Sequence, residues 1–236
     1  MNGMSTGEPG SRIMSDVTGF VRFRTRIAYL TVRRVVSATV VDQPRGIETS
    51  RAANLGDLAT PERVRYEPSG WGALRRILRA GEVSPEDVFV DLGCGKGRVV
   101  LAAARYPFRR VIGVEIAPEL TAVARANVAA SCDRVRCDIE LVTMDVLDYQ
   151  LPPDVTVVYL YNPFRGETFA RFAAGLVAAL DRQPRSFRLI YNTPMEHELL
   201  MQTGRFRVLR EVRALRPGRK WARKLSIRMY AYEPIR

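Results

Sequence analysis

Histidine, lysine and cysteine are scarce in this 236-residue chain, and each shortage excludes something. A single histidine, His197, and three cysteines leave too few soft ligands for a zinc site, so no metal is expected. Cys94, Cys132 and Cys137 are too few for a disulfide framework and fit a reducing, cytoplasmic setting. No apolar run approaches the roughly 20 residues that cross a bilayer, so no transmembrane segment is expected. The first residues lack the apolar core of a secretory signal. With only three lysines, the net charge of +12 is almost all arginine. Together with abundant Ala and Val, that arginine content matches a GC-rich coding bias. The charge is also uneven: residues 201–236 carry a net +9, residues 1–66 a net +4, and the middle is nearly neutral. Anionic partners, nucleic acid included, therefore stay open.

At 47% apolar and 26% charged residues, with no repeat or low-complexity tract, one globular domain with a short appendage is expected. Residues 1–19 are small and polar and read as disordered. Residues 20–62 read as an N-terminal helix with an imperfect apolar stripe, followed by a linker or lid rich in turn residues. Residues 63–236 read as the main domain. There Ser69 is a plausible N-cap for the helix around Leu74, Ile77 and Leu78. Short β-branched runs at 88–93, 111–116, 138–143, 155–161 and 186–192 alternate with helical stretches at 97–106, 118–130 and 167–180. A short helix is expected near 195–202. Two further strands flank Arg216-Pro217-Gly218-Arg219. This order predicts an α/β protein whose mostly parallel sheet ends in an antiparallel C-terminal hairpin.

The first strand ends in Asp91-Leu92-Gly93-Cys94-Gly95-Lys96-Gly97. Its glycines let the backbone turn tightly and approach a ligand, and the next helix offers its amino end. A dinucleotide fingerprint needs a glycine where Arg98 stands, so a NAD-linked oxidoreductase is only a remote alternative. Glu115, 24 residues after Asp91, closes the second strand, where an acid can accept two ribose hydroxyls. Asp145 follows the third strand; its carboxylate could hold an exocyclic amine while Met144 and Val146 sandwich a purine. Tyr161-Asn162-Pro163-Phe164 follows the fourth strand, and Asn192-Thr193-Pro194 the fifth. His197 reads as a packing residue more readily than as a base.

These positions together resemble the class I S-adenosylmethionine-dependent methyltransferases, over about residues 63–236, with DLGCGKG the specific part. The resemblance implies a doubly wound, Rossmann-like sheet of seven strands and S-adenosylmethionine as cofactor, with S-adenosylhomocysteine as product. It implies that Asp91 and the loop of Gly93, Cys94, Gly95 and Gly97 lie near the methionine end. Glu115, with Ile116 beside it, would bind the ribose, and Asp145 with Val146 the adenine. Amino-group methyltransferases carry Asn/Asp-Pro-Pro-aromatic where Tyr161-Asn162-Pro163-Phe164 stands. Asn162 would then orient the acceptor, and Tyr161 or Phe164 would wall the substrate side. The second proline is missing, so nitrogen is the first expectation for the acceptor and oxygen the next. The extended pattern, Tyr66-x-Pro68-Ser69 before VFVDLGCGKGR, is similar to a bacterial branch. A small molecule or a protein is the expected substrate, with RNA as the alternative, bound through the basic ends.

Overall fold

Every residue of strand β1 (Val88–Leu92) is buried, as expected for an apolar run covered by helices on both sides. The structure, a computed structural model, describes residues 28, 31, 32, 34–53, 56–58, 60–63, 66–213 and 226–234. The expected disorder of residues 1–19 and the basic turn around Pro217 lie outside the described residues. The other strands are β2 (Arg110–Glu115), β3 (Asp138–Thr143), β4 (Val157–Leu160), β5 (Arg188–Asn192), β6 (Phe206–Arg213) and β7 (Ser226–Tyr232). They form one seven-stranded sheet in the order β3-β2-β1-β4-β5-β7-β6. β1 to β5 are parallel, and β7 joins β5 and β6 antiparallel. The expected fold class is therefore the observed one.

Side-chain alternation along β1 feeds two cores. Val88, Val90 and Leu92 face helix α4 (Gly166–Arg182), through Phe169, Phe172, Ala173 and Leu176. Phe89 faces helices α1 (Ala73–Ile77) and α2 (Arg98–Ala103), through Leu74, Ile77, Val100 and Ala103. Helix α3 (Pro118–Ala129) follows β2, and α5 (His197–Gln202) follows β5.

Two local expectations change. The predicted helix over 97–106 is regular only from Arg98 to Ala103. Ser69 does not cap α1, which begins at Ala73 behind Gly72; its hydroxyl instead lies 3.3 Å from the Tyr159 hydroxyl. Helix α4 has no cap from its own N-terminal residue. The Glu62 carboxylate caps it from outside, accepting hydrogen bonds from the Glu167 and Thr168 amides at 3.3 and 2.9 Å and from the Thr168 hydroxyl. Those hydrogen bonds hold the Glu62 carboxyl below the usual carboxylate range.

Candidate active site

The strand order reverses between β1 and β4, and the crevice at the carboxyl ends of two such strands is where an open α/β sheet binds ligands. β1 delivers Asp91 and the glycine loop to that crevice, and β4 delivers Asn162 and Pro163. The two turns touch. A Cβ on Gly93, which sits at φ +76°, would fall 2.6 Å from Pro163 Cβ. Gly93→Ala is therefore closed off by conformation and by space. Gly97, at φ +79°, opens α2 and packs against Ala124 of α3.

Glu115 is 6% exposed, and both carboxylate oxygens are committed to the backbone. Oε2 accepts the Gly95 amide at 2.8 Å and Oε1 the Ala117 amide at 3.0 Å. These bonds lock the glycine loop to the turn after β2, and each oxygen keeps a lone pair for a hydroxyl donor. Asp91 is 3% exposed. Burial first, and then the charge of Glu115, push its carboxyl well above the usual range. Among the described residues, Asp91 makes no ion pair. A cationic ligand group placed at Asp91 would relieve this electrostatic cost. S-adenosylmethionine carries an ammonium and a sulfonium next to a ribose, so its chemistry fits the acceptor oxygens of Asp91 and Glu115.

The other candidates divide. Ile116 and Val146 are half-buried, as is Tyr161. Met144 is 40% exposed next to Asp145. Cys94 turns its side chain into the core with Val100 and Leu141, and burial raises its thiol pKa, so only its backbone faces the loop. Phe164 lies deeper than Tyr161. It is 4% exposed and packs edge-on against Phe172 with ring centroids 5.2 Å apart, so its ring is part of the core. His197 also packs, with Nδ1 3.0 Å from the Tyr230 hydroxyl.

Asn162 is 5% exposed and adopts φ +43°, a left-handed conformation unusual for a non-glycine residue. Thr193, at the end of β5, does the same at φ +57°. Asn162 Oδ1 accepts a long bond of 3.4 Å from the Tyr191 hydroxyl. Tyr159, beside Asp91 across the β1–β4 pair, is bound by Asn192 Nδ2 at 2.9 Å. Strained residues at adjoining strand ends are the local geometry that functional crevices retain.

The N-terminal segment lies across this crevice, and most of its contacts were not legible in the sequence. Arg63 pairs with Asp145 Oδ2, while Oδ1 accepts the Leu147 amide at 3.0 Å. Arg63 also bridges antiparallel to Phe164. The Tyr66 ring covers Gly95, whose Cβ would come within 2.2 Å of it, and the Tyr66 hydroxyl donates to the Thr49 carbonyl at 2.8 Å. Lys96 pairs with Glu48. Asn127 of α3 donates to the Glu48 and Lys96 carbonyls, both at 2.9 Å. Arg98, which stands where a dinucleotide fingerprint needs glycine, binds Thr49, Ser50, the Ser69 carbonyl and Asp42.

Residues 89–174 match the methyltransferase domain family. Over 66 residues the chain is 39% identical to a protein-lysine N-methyltransferase of Saccharolobus islandicus, covering 28% of this chain and 41% of that one. Over 83 residues it is 39% identical to the ribosomal RNA small subunit methyltransferase A of Thermobifida fusca, covering 35% and 29%. The chain thus spans less than half the length of these curated relatives. A solved RNA methyltransferase from Salinibacter ruber, in complex with S-adenosyl-L-homocysteine, is 23% identical with a TM-score of 0.49, covering 72% of this chain and 95% of that one. The matched segment holds most of β1, the glycine loop, Glu115, Asp145 and Asn162, and over it the chain is similar to the class I S-adenosylmethionine-dependent methyltransferases.

Proposed function

We propose that this methyltransferase acts on a nitrogen of a small molecule or a protein side chain, with Asn162 orienting the acceptor. The observation that carries the reading is a buried asparagine held at φ +43° where β4 meets the glycine loop. When bound, the cofactor supplies a methyl group already activated by its sulfonium, so positioning and a dry site can provide most of the acceleration. Asp91, beside the glycine loop, would hold the amino-acid end, Glu115 the ribose, and Asp145 the adenine side. Asparagine cannot remove a proton, so its contribution is alignment of a lone pair. The naming of the Saccharolobus relative for a lysine amine agrees with this acceptor.

Asn162→Ala is expected to cut the single-turnover rate more than tenfold, while affinity for S-adenosylhomocysteine stays within about threefold. A rate within about threefold of wild type, under roughly 1 kcal/mol of barrier, would reduce Asn162 to a turn residue.

RNA is the second reading, motivated by the +9 end of the chain and by the Thermobifida relative. Steep salt dependence of substrate binding separates it from the first. No helix among the described residues is long and apolar enough to cross a membrane.

The same proposal makes the stretch that carries Glu48 and Glu62, with Arg63 and Tyr66 after it, a lid. Since Arg63 holds Asp145, an adenine amine must share or displace it. The pair is 25% and 21% exposed, so its net worth is small. Arg63→Ala is expected to raise affinity for S-adenosylhomocysteine by up to about fivefold in calorimetry. A loss of affinity instead would place Arg63 on the binding surface.

A further inference from the structure

Toward the far end of α2 from the glycine loop, a recess opens between the N-terminal segment, α1, α2 and the turn after α3. It is small, shallow and open to solvent, with Arg105 and Arg134 exposed and Arg45 half-buried. Arg45, Arg105 and Arg134 line it, together with Trp71, Ser131, Ile47 and Leu101. Among the described residues, none of the three arginines forms an ion pair. Arg45 donates to the Val41 carbonyl at 2.7 Å, which occupies one of its five donors. The nearest buried carboxylate in the sequence, Asp42, is engaged by Arg98, Thr49 and Ser50. Burial first, then the charges of Arg45 and Arg134, pull the Arg105 pKa down, which is the mark of cations crowded without a counter-charge. The indole Nε1 of Trp71 is a second, independent sign. It is buried and has no hydrogen-bond partner among the described residues, an arrangement that costs stability unless a ligand or water accepts from it.

We propose that this recess is a binding site for a single tetrahedral oxyanion of the phosphate type, held by Arg45, Arg105 and Arg134 with a donor from Trp71. Guanidinium forks match phosphate oxygens, and a guanidinium or an indole N–H can only donate, so the arginines and Trp71 suit an acceptor-rich anion. The shared chemistry is a phosphoryl group, either free inorganic phosphate or the terminal phosphate of a small metabolite. All three arginines line a single small recess, which favours one such group over the row of phosphates along a nucleic-acid backbone, for which a linear basic groove would be expected. The site lies apart from Asp91 and Glu115 and is independent of the acceptor proposed for the methyl group.

The test uses the full chain and titrates inorganic phosphate, with chloride at matched ionic strength as the control. A small phosphate monoester such as glycerol phosphate forms the second arm. Binding is read by calorimetry and by the rise in melting temperature. Wild type should bind phosphate or the monoester, and the arm that binds more tightly identifies the source. Arg105→Gln and Arg134→Gln should each weaken that binding by at least about tenfold. Without added anion, both variants should melt no lower than wild type, because each removes a like charge from the cluster. Affinity for S-adenosylhomocysteine should be unchanged in both. A shift in wild type no larger than that in chloride would overturn the proposal, as would variants that retain full phosphate binding. If a short RNA binds, loses affinity in Arg105→Gln and is not displaced by phosphate, the recess belongs to a nucleic-acid path and the present assignment falls.

Discussion

Glu115→Ala is expected to weaken binding of S-adenosylhomocysteine by about 1.5–3 kcal/mol, roughly tenfold to over a hundredfold in dissociation constant. The expectation rests on two linked losses. A carboxylate that could accept ribose hydroxyls disappears, and the Gly95 and Ala117 amides lose their acceptors at 2.8 and 3.0 Å. The second loss loosens the loop whose backbone must approach the ligand. Calorimetry on the variant, with its melting curve beside it, separates the two. Unchanged affinity would sink the ribose assignment, even if the variant melts earlier. Glu115→Gln keeps a single acceptor oxygen and should fall between wild type and alanine.

Arg98→Met should produce the largest fall in stability, about 3–5 kcal/mol, because it leaves a buried carboxylate without its cation. Arg98 and Asp42 are each 4% exposed at the side chain. The guanidinium makes bonds of 2.8 Å to the Thr49 hydroxyl, the Ser69 carbonyl and the Ser50 hydroxyl, and stacks 5.0 Å from the Trp71 ring. Asp42 would retain only the Thr49 amide and two hydroxyls. The midpoint of urea unfolding measures the loss, provided its slope is unchanged. A double variant, Arg98→Met with Asp42→Leu, should recover part of it, since removing both charges also removes the orphaned one. A midpoint equal to wild type in the single variant would mean that the N-terminal segment contributes nothing to the fold. A lowered slope would mean that the segment undocks before the sheet unfolds.

The alternation of strands and helices, the glycine loop behind Asp91 and the position of Glu115 were all legible in the sequence alone. Each is local. A buried parallel strand needs a continuous apolar run, a tight turn toward a ligand needs glycine, and the acid at the end of the second strand needs only the correct count along the chain. The tertiary structure decided everything that joins distant stretches. Glu62 caps α4 at Thr168, 106 residues away, and no residue near Gly166 announces it. Arg63 meets Asp145 from 82 residues away. Phe164 followed the motif that suggested a substrate wall, yet the aromatic ring lies on the side of β4 that faces α4 and is absorbed by Phe169 and Phe172. Arg98 looked like a defect in a glycine pattern until the docked N-terminal segment supplied Asp42, Thr49 and Ser50 around it. Periodicity specifies which face of an element is apolar. Which polar group then meets which depends on where whole segments dock, and that is set only when the sheet and its covering helices have assembled.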